Sequence, residues 1–228
     1  MSGDRDDLAH LEAAARDYRL FLERGYPEST MKKVVGDRHR LSGEERLILY
    51  RGISTAAQDA RRKEKWRSPE EVSGRRLLLD FYNIAFTLLN YRLGRKLFRS
   101  TDGYIRDAGA LHGRLGRQER LSWVLEPLLR TLESLGPEET TVYLDSPISH
   151  SGKHAEALEE AAHERELLLG AVVVPSADYP LKQERTALVA TGDSAIVDAV
   201  RTGVVDLSAV ILLDRYNYVP PDLGALIS

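Results

Sequence analysis

The sequence contains no cysteine, and only two methionines and two tryptophans in 228 residues. Without cysteine there is no disulfide framework, no thiolate zinc site and no cysteine nucleophile. Any metal must therefore be held by oxygen or histidine ligands, which favours a hard cation. No stretch approaches the roughly 18 consecutive apolar residues of a membrane span. The first ten residues carry three aspartates and lack the apolar core of a signal peptide. These absences lead to the expectation of a cytoplasmic protein with no membrane partner. What is present is a globular composition, 43% hydrophobic and 29% charged, enough for one large or two small domains.

Several catalytic signatures are missing as well. There is no Gly-x-Ser-x-Gly elbow, and no Gly-x-Gly-x-x-Gly follows the first candidate strand. The six histidines are scattered, and only His150 and His154 stand four apart, without the glutamate of a zinc-protease helix.

Charge is unevenly spread. Residues 1–76 hold 17 Lys/Arg against 14 Asp/Glu, while residues 77–228 hold 15 against 21. The sharpest concentration is Arg61-Arg62-Lys63-Glu64-Lys65-Trp66-Arg67, five cations around one indole. It reads either as a solvated helix end or as a phosphate-backbone contact, with Arg61, Arg62 and Lys65 as cations and Trp66 as a stacking platform.

Before residue 68 the apolar spacing is helical. Leu8, Leu11, Ala15, Tyr18 and Leu22 recur at intervals of three and four, and Gly25-Tyr26-Pro27 interrupts them. A second helix is predicted from Pro27 to Val35. Ser42 and Glu45 form a capping box that opens a third through Leu47, Leu49, Tyr50 and Ile53. From residue 75 short apolar runs alternate with amphipathic helices, the pattern of βαβ units. Strands are predicted at Arg76–Asp80, Thr140–Asp145, Ala171–Pro175, Ala187–Thr191 and Ala209–Asp214. Helices are predicted at Ile84–Leu93, Gln118–Leu135, Lys153–Leu169, Tyr179–Arg185 and Ser194–Arg201. The segment Arg95–Gly116 is irregular apart from a short strand at Lys96–Ser100. The division is thus a helical region over 1–68 and an α/β domain over 69–228.

In an open α/β sheet the ligand lies outside the carboxyl ends of the strands. The residues closing the apolar runs are acidic: Asp80, Asp145, Asp193 after Thr191-Gly192, and, with less weight, Asp214. Carboxylates gathered at one edge repel one another unless a proton or a cation intervenes. Each could instead cap the helix that follows it. Asn83, three residues after Asp80, could orient a water or a carboxylate in the same space. In the irregular loop, Arg106 suits bidentate phosphate contact and Asp107 adds a carboxylate, while a turn accounts for Asp102-Gly103. Asp198 lies about 140° further round an ideal helix than Asp193 and is a peripheral candidate. The stretch from Asp145 to Lys153 carries Ser149, Ser151 and Lys153 at a helix start, where free N–H groups and an ammonium attract an anion. It is not a Walker A loop, because Pro147 stands where the first glycine belongs.

Together Leu79-Asp80-Phe81-Tyr82-Asn83, the Thr101–Asp107 run, Tyr143–Gly152 and Ala190–Asp198 resemble a prokaryotic family known as a domain of unknown function. Arg24–Pro27, Val35–Arg38 and Glu45–Gly52 are similar to that family's helical leader. The family in turn resembles the PIN-like superfamily, whose NYN branch also begins with an Asp-x-x-Asn turn. This resemblance implies a Rossmann-like, mostly parallel five-stranded sheet with helices on both faces. It implies a carboxylate cluster binding Mg²⁺ or Mn²⁺ and cleavage of RNA by a metal-activated water. Asp80, Asp145 and Asp193 would ligate, Asp107 or Asp198 would complete the cluster, and Asn83 would serve the same site. The usual PIN pattern has an acidic residue on a helix midway between the first and third of these; here Asp145 at a strand end fills that position.

The expected function is metal-dependent endoribonuclease activity with RNA as partner, in a chain that could also self-associate. Two readings compete: a non-catalytic RNA-binding or scaffold protein, and a phosphohydrolase of small molecules using the Ser149–Lys153 turn.

Overall fold

The computed structural model describes residue 8, residues 10–109, residue 115 and residues 118–227. The chain divides into two compact units, one of residues 1–64, 90–110 and 219–228, the other of residues 65–89 and 111–218. Among the described residues no helix is long and apolar enough to cross a membrane.

The first unit is mainly helical. Its helices are α1 (Glu12–Glu23), α2 (Glu28–Arg38), α3 (Gly43–Gly52) and α4 (Ala56–Lys65). The capping box at α3 forms as the sequence predicts: Glu45 N donates to Ser42 Oγ at 3.3 Å and Ser42 N to Glu45 Oε2 at 2.6 Å. The apolar stripe of α1 is buried as expected, with Leu11, Ala15, Tyr18 and Leu22 in one cluster with Val35, Ile48 and Leu49. Helix α4 has no counterpart among the sequence expectations. Its buried residues are Asp59 and Arg62, so it has no apolar period to read. A short hairpin, β2 (Leu97–Arg99) with β3 (Ile105–Asp107), completes the unit with α11 (Gly224–Ile227). Gly103, with φ +94°, supplies the positive φ its turn needs. The rest of the expected irregular loop, 110–114 and 116, lies outside the described residues.

The second unit is an α/β layer structure. Its strands are β1 (Arg76–Asp80), β4 (Glu139–Asp145), β5 (Leu169–Val174), β6 (Leu188–Ala190) and β7 (Val204–Val205). All pairings between them are parallel and the order is β5-β4-β1-β6-β7. Helices α5 (Phe81–Arg92), α6 (Gln118–Leu135), α7 (Ser151–His163), α8 (Asp178–Gln183) and α9 (Ser194–Ala199) lie between the strands, and α10 (Leu207–Tyr216) follows β7. The central strand β1 is buried from Leu77 to Asp80, as a strand covered on both faces must be. In β4 burial alternates, with Thr140, Val142 and Leu144 inside. The β7 edge is covered by the chain itself: Trp66 bridges to Val204, and Arg67 N donates to Val204 O at 2.8 Å.

One expectation needs correction. Ala209–Asp214 is not a strand but part of helix α10, and the fifth strand is the short β7 before it. Asp206 caps the helix by accepting from Ala209 N at 3.0 Å. Leu207, Ser208, Ile211 and Leu212 are buried at helical spacing. Val210 and Leu213 fill the outer positions with apolar residues, so the run reads as continuous and its helical period is masked. Asp214 is consequently an exposed helix residue and closes no strand.

Candidate functional site

In the order β5-β4-β1-β6-β7, the chain winds outward from β1 in one direction through β4 and β5, then in the other through β6 and β7. The connections therefore reverse between β1 and β6, and that switch point is where open α/β sheets leave a crevice at their carboxyl ends. Asp80 ends β1 there, and Thr191-Gly192-Asp193 follows β6. Hydrogen bonds join the two turns across the switch point. Thr191 Oγ1 donates to Asp80 Oδ2 at 2.9 Å, and Gly192 N donates to Asn83 Oδ1 at 2.8 Å. Asn83 thus fixes the backbone of the opposite turn.

Asp80 is buried, with 6% of its surface exposed. Burial pushes its carboxyl up to about 7; the Thr191 hydroxyl and the Asn83 backbone pull against this, while the charges of Asp193 and Asp145 add to it. Asp145 and Asp193, singled out in the sequence, therefore both lie close enough to act electrostatically on Asp80. Asp193 Oδ1 accepts from Ala195 N at 2.8 Å and Ile196 N at 3.1 Å, capping α9. Asp145 Oδ1 accepts from Ala177 N at 2.9 Å. Both are only half-buried, and among the described residues no donor reaches the second oxygen of either. Capping and the proposed chemistry are not exclusive here, since each aspartate spends one oxygen on the backbone.

Beyond Asp145 the chain turns through His150, in a left-handed conformation with φ +68°, into α7. No side chain caps this helix. Ser149 and Lys153 are exposed and Ser151 is buried. A buried pair that the sequence reading missed lies close by: Tyr82 Oη and His154 Nδ1 are 2.9 Å apart. Burial and the neighbouring His150 lower the His154 pKa, while burial and the Asp145 charge raise that of Tyr82. The signal was thin, a tyrosine next to Asn83 and a histidine one turn into a helix.

The other candidates are placed differently. Arg62, Arg106 and Asp107 belong to the first unit and are buried there. Arg106 holds Asp102 with two hydrogen bonds, 3.1 and 2.8 Å, and Arg62 adds a third at 2.9 Å. Burial alone would raise the Asp102 pKa, but the Arg106 charge and hydrogen bonds, with Ser100 and Arg62, outweigh it and hold the carboxyl below the usual range. Asp107 pairs with Arg51 at 3.2 Å and accepts from Gly109 N at 3.0 Å. The basic run does not form a continuous cationic surface. Arg61 is exposed and Arg62 buried, while Lys65 Nζ donates to Val197 O and Asp198 O, both at 2.7 Å, closing the C-terminus of α9. Trp66 is half-exposed at 49%. Asp198 is exposed on α9.

Among the described residues no group of three or more His, Asp or Glu side chains forms a ready metal shell. A closed, all-protein site does not fit these residues. A Mg²⁺-type site does, because that ion commonly takes one or two carboxylates and fills the remaining positions with water and substrate phosphate.

Fold and site together define an α/β protein with a five-stranded parallel sheet and a buried aspartate, Asp80, at its switch point. Residues 69–210 match the model of the family described as Domain of unknown function (DUF5616), and the chain belongs to that family. Residues 10–65 match the model described as Protein of unknown function (DUF434). A relative, the uncharacterized protein MJ0935 of Methanocaldococcus jannaschii, is 26% identical over 200 residues, covering 87% of this chain and 95% of its own. No solved structure matches significantly.

Proposed function

We propose that the protein hydrolyses RNA phosphodiester bonds at the Asp80, Asp145 and Asp193 cluster with Mg²⁺ or Mn²⁺, as a PIN-like nuclease of the NYN type. The observation that carries this reading is Asp80 itself. A buried carboxylate flanked by two others, its pKa pushed up to about 7, sits at the switch point where such sheets bind ligands.

When bound, a divalent cation supplies an acidified water and offsets negative charge on the phosphoryl oxygens. Asp80 would hold it, with the open oxygen of Asp145 or Asp193 as a second ligand and water in the remaining positions. Thr191, through its hydroxyl, fixes one Asp80 oxygen, and Asn83 keeps the Thr191–Asp193 turn in register. The uncapped start of α7, with Ser149, Ser151 and Lys153, would receive a phosphate. Trp66 offers an exposed ring on which a base could stack.

The test is Mn²⁺-dependent cleavage of labelled single-stranded and structured RNAs by wild type, Asp80→Asn and Asp193→Asn. Cleavage by wild type that disappears in both variants is the expected result. No cleavage by wild type, with Mn²⁺ still bound in a titration, overturns it. Phosphate release from mononucleotides would then point to a small-molecule phosphohydrolase, the reading that the uncapped α7 favours. The absence of a ready three-ligand shell among the described residues favours instead a non-catalytic RNA-binding protein, which predicts unchanged RNA affinity after Asp80→Ala.

A further inference from the structure

The two edges of the sheet in the second unit are treated differently. At one, β7 is two residues long and is covered by Trp66 and Arg67 of the same chain. At the other, β5 is six residues long and pairs with β4 on its inner side. Leu168, Val172 and Val173 are exposed there at 68%, 42% and 39%, and residues 167–177 carry no charge. Natural edge strands are kept short, charged, interrupted by proline or covered, because an open row of backbone groups templates pairing with another strand. Within its six residues β5 has neither charge nor proline.

Thr140 N donates to Leu168 O at 2.9 Å and Ser146 N to Val174 O at 2.7 Å. The N–H and C=O groups of the even-numbered β5 residues therefore face β4, and those of Leu169, Ala171 and Val173 face outward. Ala171 N agrees with this direction, since it donates to Oε1 of Glu159, an exposed residue of α7, at 2.9 Å. Among the described residues nothing else meets the outward groups of these three residues. Their spacing is self-complementary. A two-fold axis at Ala171 sets Leu169 opposite Val173 of a second copy and Ala171 opposite itself, and each such pair exchanges both backbone bonds. On the open face it seats Val172 opposite Gly170, where an added Cβ meets nothing within 4 Å, and Leu168 opposite Val174. No strand residue then faces a like charge, and β5 has no charge with which to select a foreign strand. Glu159 must leave Ala171 N and return to solvent, so it competes with the pairing.

We infer that β5 pairs antiparallel with β5 of a second copy of this chain, joining two five-stranded sheets about a two-fold axis at Ala171. The assembly closes at two copies. Its outer edges are both β7, which the chain already covers, and an isologous contact uses up its own patch. One strand with a few exposed apolar side chains makes a small interface, so a dissociation constant of about 1–100 µM is expected. Pairing at this edge is independent of the chemistry at Asp80.

The test is sedimentation of the full chain from low micromolar to submillimolar concentration, with amide hydrogen exchange at both ends of the range. A monomer–dimer equilibrium is expected. The Leu169 and Val173 amides should slow at high concentration, while those of Gly170 and Val172, already turned toward β4, stay unchanged. Val172→Lys, at an exposed position, is expected to abolish the dimer over this range, since an edge lysine opposes strand pairing, and to leave the thermal midpoint of the dilute protein unchanged. Glu159→Ala removes the competitor for Ala171 N and is expected to tighten the dimer about tenfold. A monomer at every concentration, a dimer whose Leu169 and Val173 amides exchange as in the monomer, a dimer indifferent to Val172→Lys, or growth beyond two copies would each overturn the inference. So would protection of these amides only on adding an unrelated, uncharged extended peptide, which would assign the edge to a foreign strand.

Discussion

Replacing Asp80 by asparagine should stabilise the protein at alkaline pH and do little at mildly acidic pH. A carboxylate with a folded-state pKa above its unfolded value binds more protons when folded. Stability is then lost as pH rises from the unfolded pKa near 3.9 through the folded value, which for Asp80 is about 7. At pH 5 the native carboxyl is protonated and suits its buried surroundings. At pH 8 it is ionised among the charges of Asp145 and Asp193. Between those two pH values linkage removes roughly 2–3 kcal/mol of stability. Asparagine keeps the shape and can accept from the Thr191 hydroxyl, but it does not titrate. Urea unfolding of wild type and Asp80→Asn at both pH values, without divalent cations, isolates the effect, because the two proteins differ only at residue 80. The variant should gain on wild type by roughly 2–3 kcal/mol from pH 5 to pH 8. Millimolar Mn²⁺ should then close the gap at pH 8 by stabilising wild type alone. Parallel profiles for the two proteins across this range would refute the reasoning, since the Asp80 carboxylate would then ionise as freely folded as unfolded.

Gly52 tests close packing in the first unit: a Cβ there would collide with Leu223 Cδ1 and with the Phe98 ring. Gly52→Ala is expected to cost about 1–3 kcal/mol by urea unfolding. Lys65 closes the C-terminus of α9 through two carbonyls, so Lys65→Gln should destabilise by about 1 kcal/mol and leave the salt dependence of RNA binding unchanged. Trp66→Ala, whose bridge to Val204 runs through the backbone, should leave stability nearly unchanged but weaken single-stranded RNA binding by about 1–3 kcal/mol.

The sequence made the sheet legible wherever a strand was long enough to show a pattern and was bounded by turn residues. Arg76–Asp80 and helix Gln118–Leu135 were both read with the bounds they have. It failed at β7, where two residues give no period, and at α10, where an apolar run hid a helix behind the look of a buried strand. The edge carboxylates were legible because a strand's last residue is fixed by its apolar run. Thr191 received no role of its own, since a threonine before Gly-Asp reads as turn chemistry until its hydroxyl is seen on Asp80. The basic run misled for a different reason: composition records charge but not which side of a helix carries it. Arg62 on α4 is turned inward while its neighbour Arg61 is exposed.

The Thr101–Asp107 segment shows how the same residue types can serve structure alone. Asp102 is buried beneath Arg62 and Arg106, with Arg106 gripping both its oxygens. Burying such charges costs several kcal/mol per ion before their attraction is counted. The triad is therefore better at fixing how α4 meets the β2–β3 hairpin than at adding stability. If so, breaking it and removing it should differ sharply. Asp102→Ala leaves two guanidinium groups buried without their carboxylate and should cost about 3–5 kcal/mol. Replacing Arg62, Asp102 and Arg106 together by Met, Leu and Met should recover most of that loss. It should not recover all, because Ser54 Oγ and Arg51 O lose the donors that Arg62 and Arg106 give them. Urea unfolding of both variants decides the matter. If the triple variant is destabilised at least as much as Asp102→Ala, the triad is a net source of stability, and the low pKa of Asp102 reflects attraction that more than covers the cost of burial.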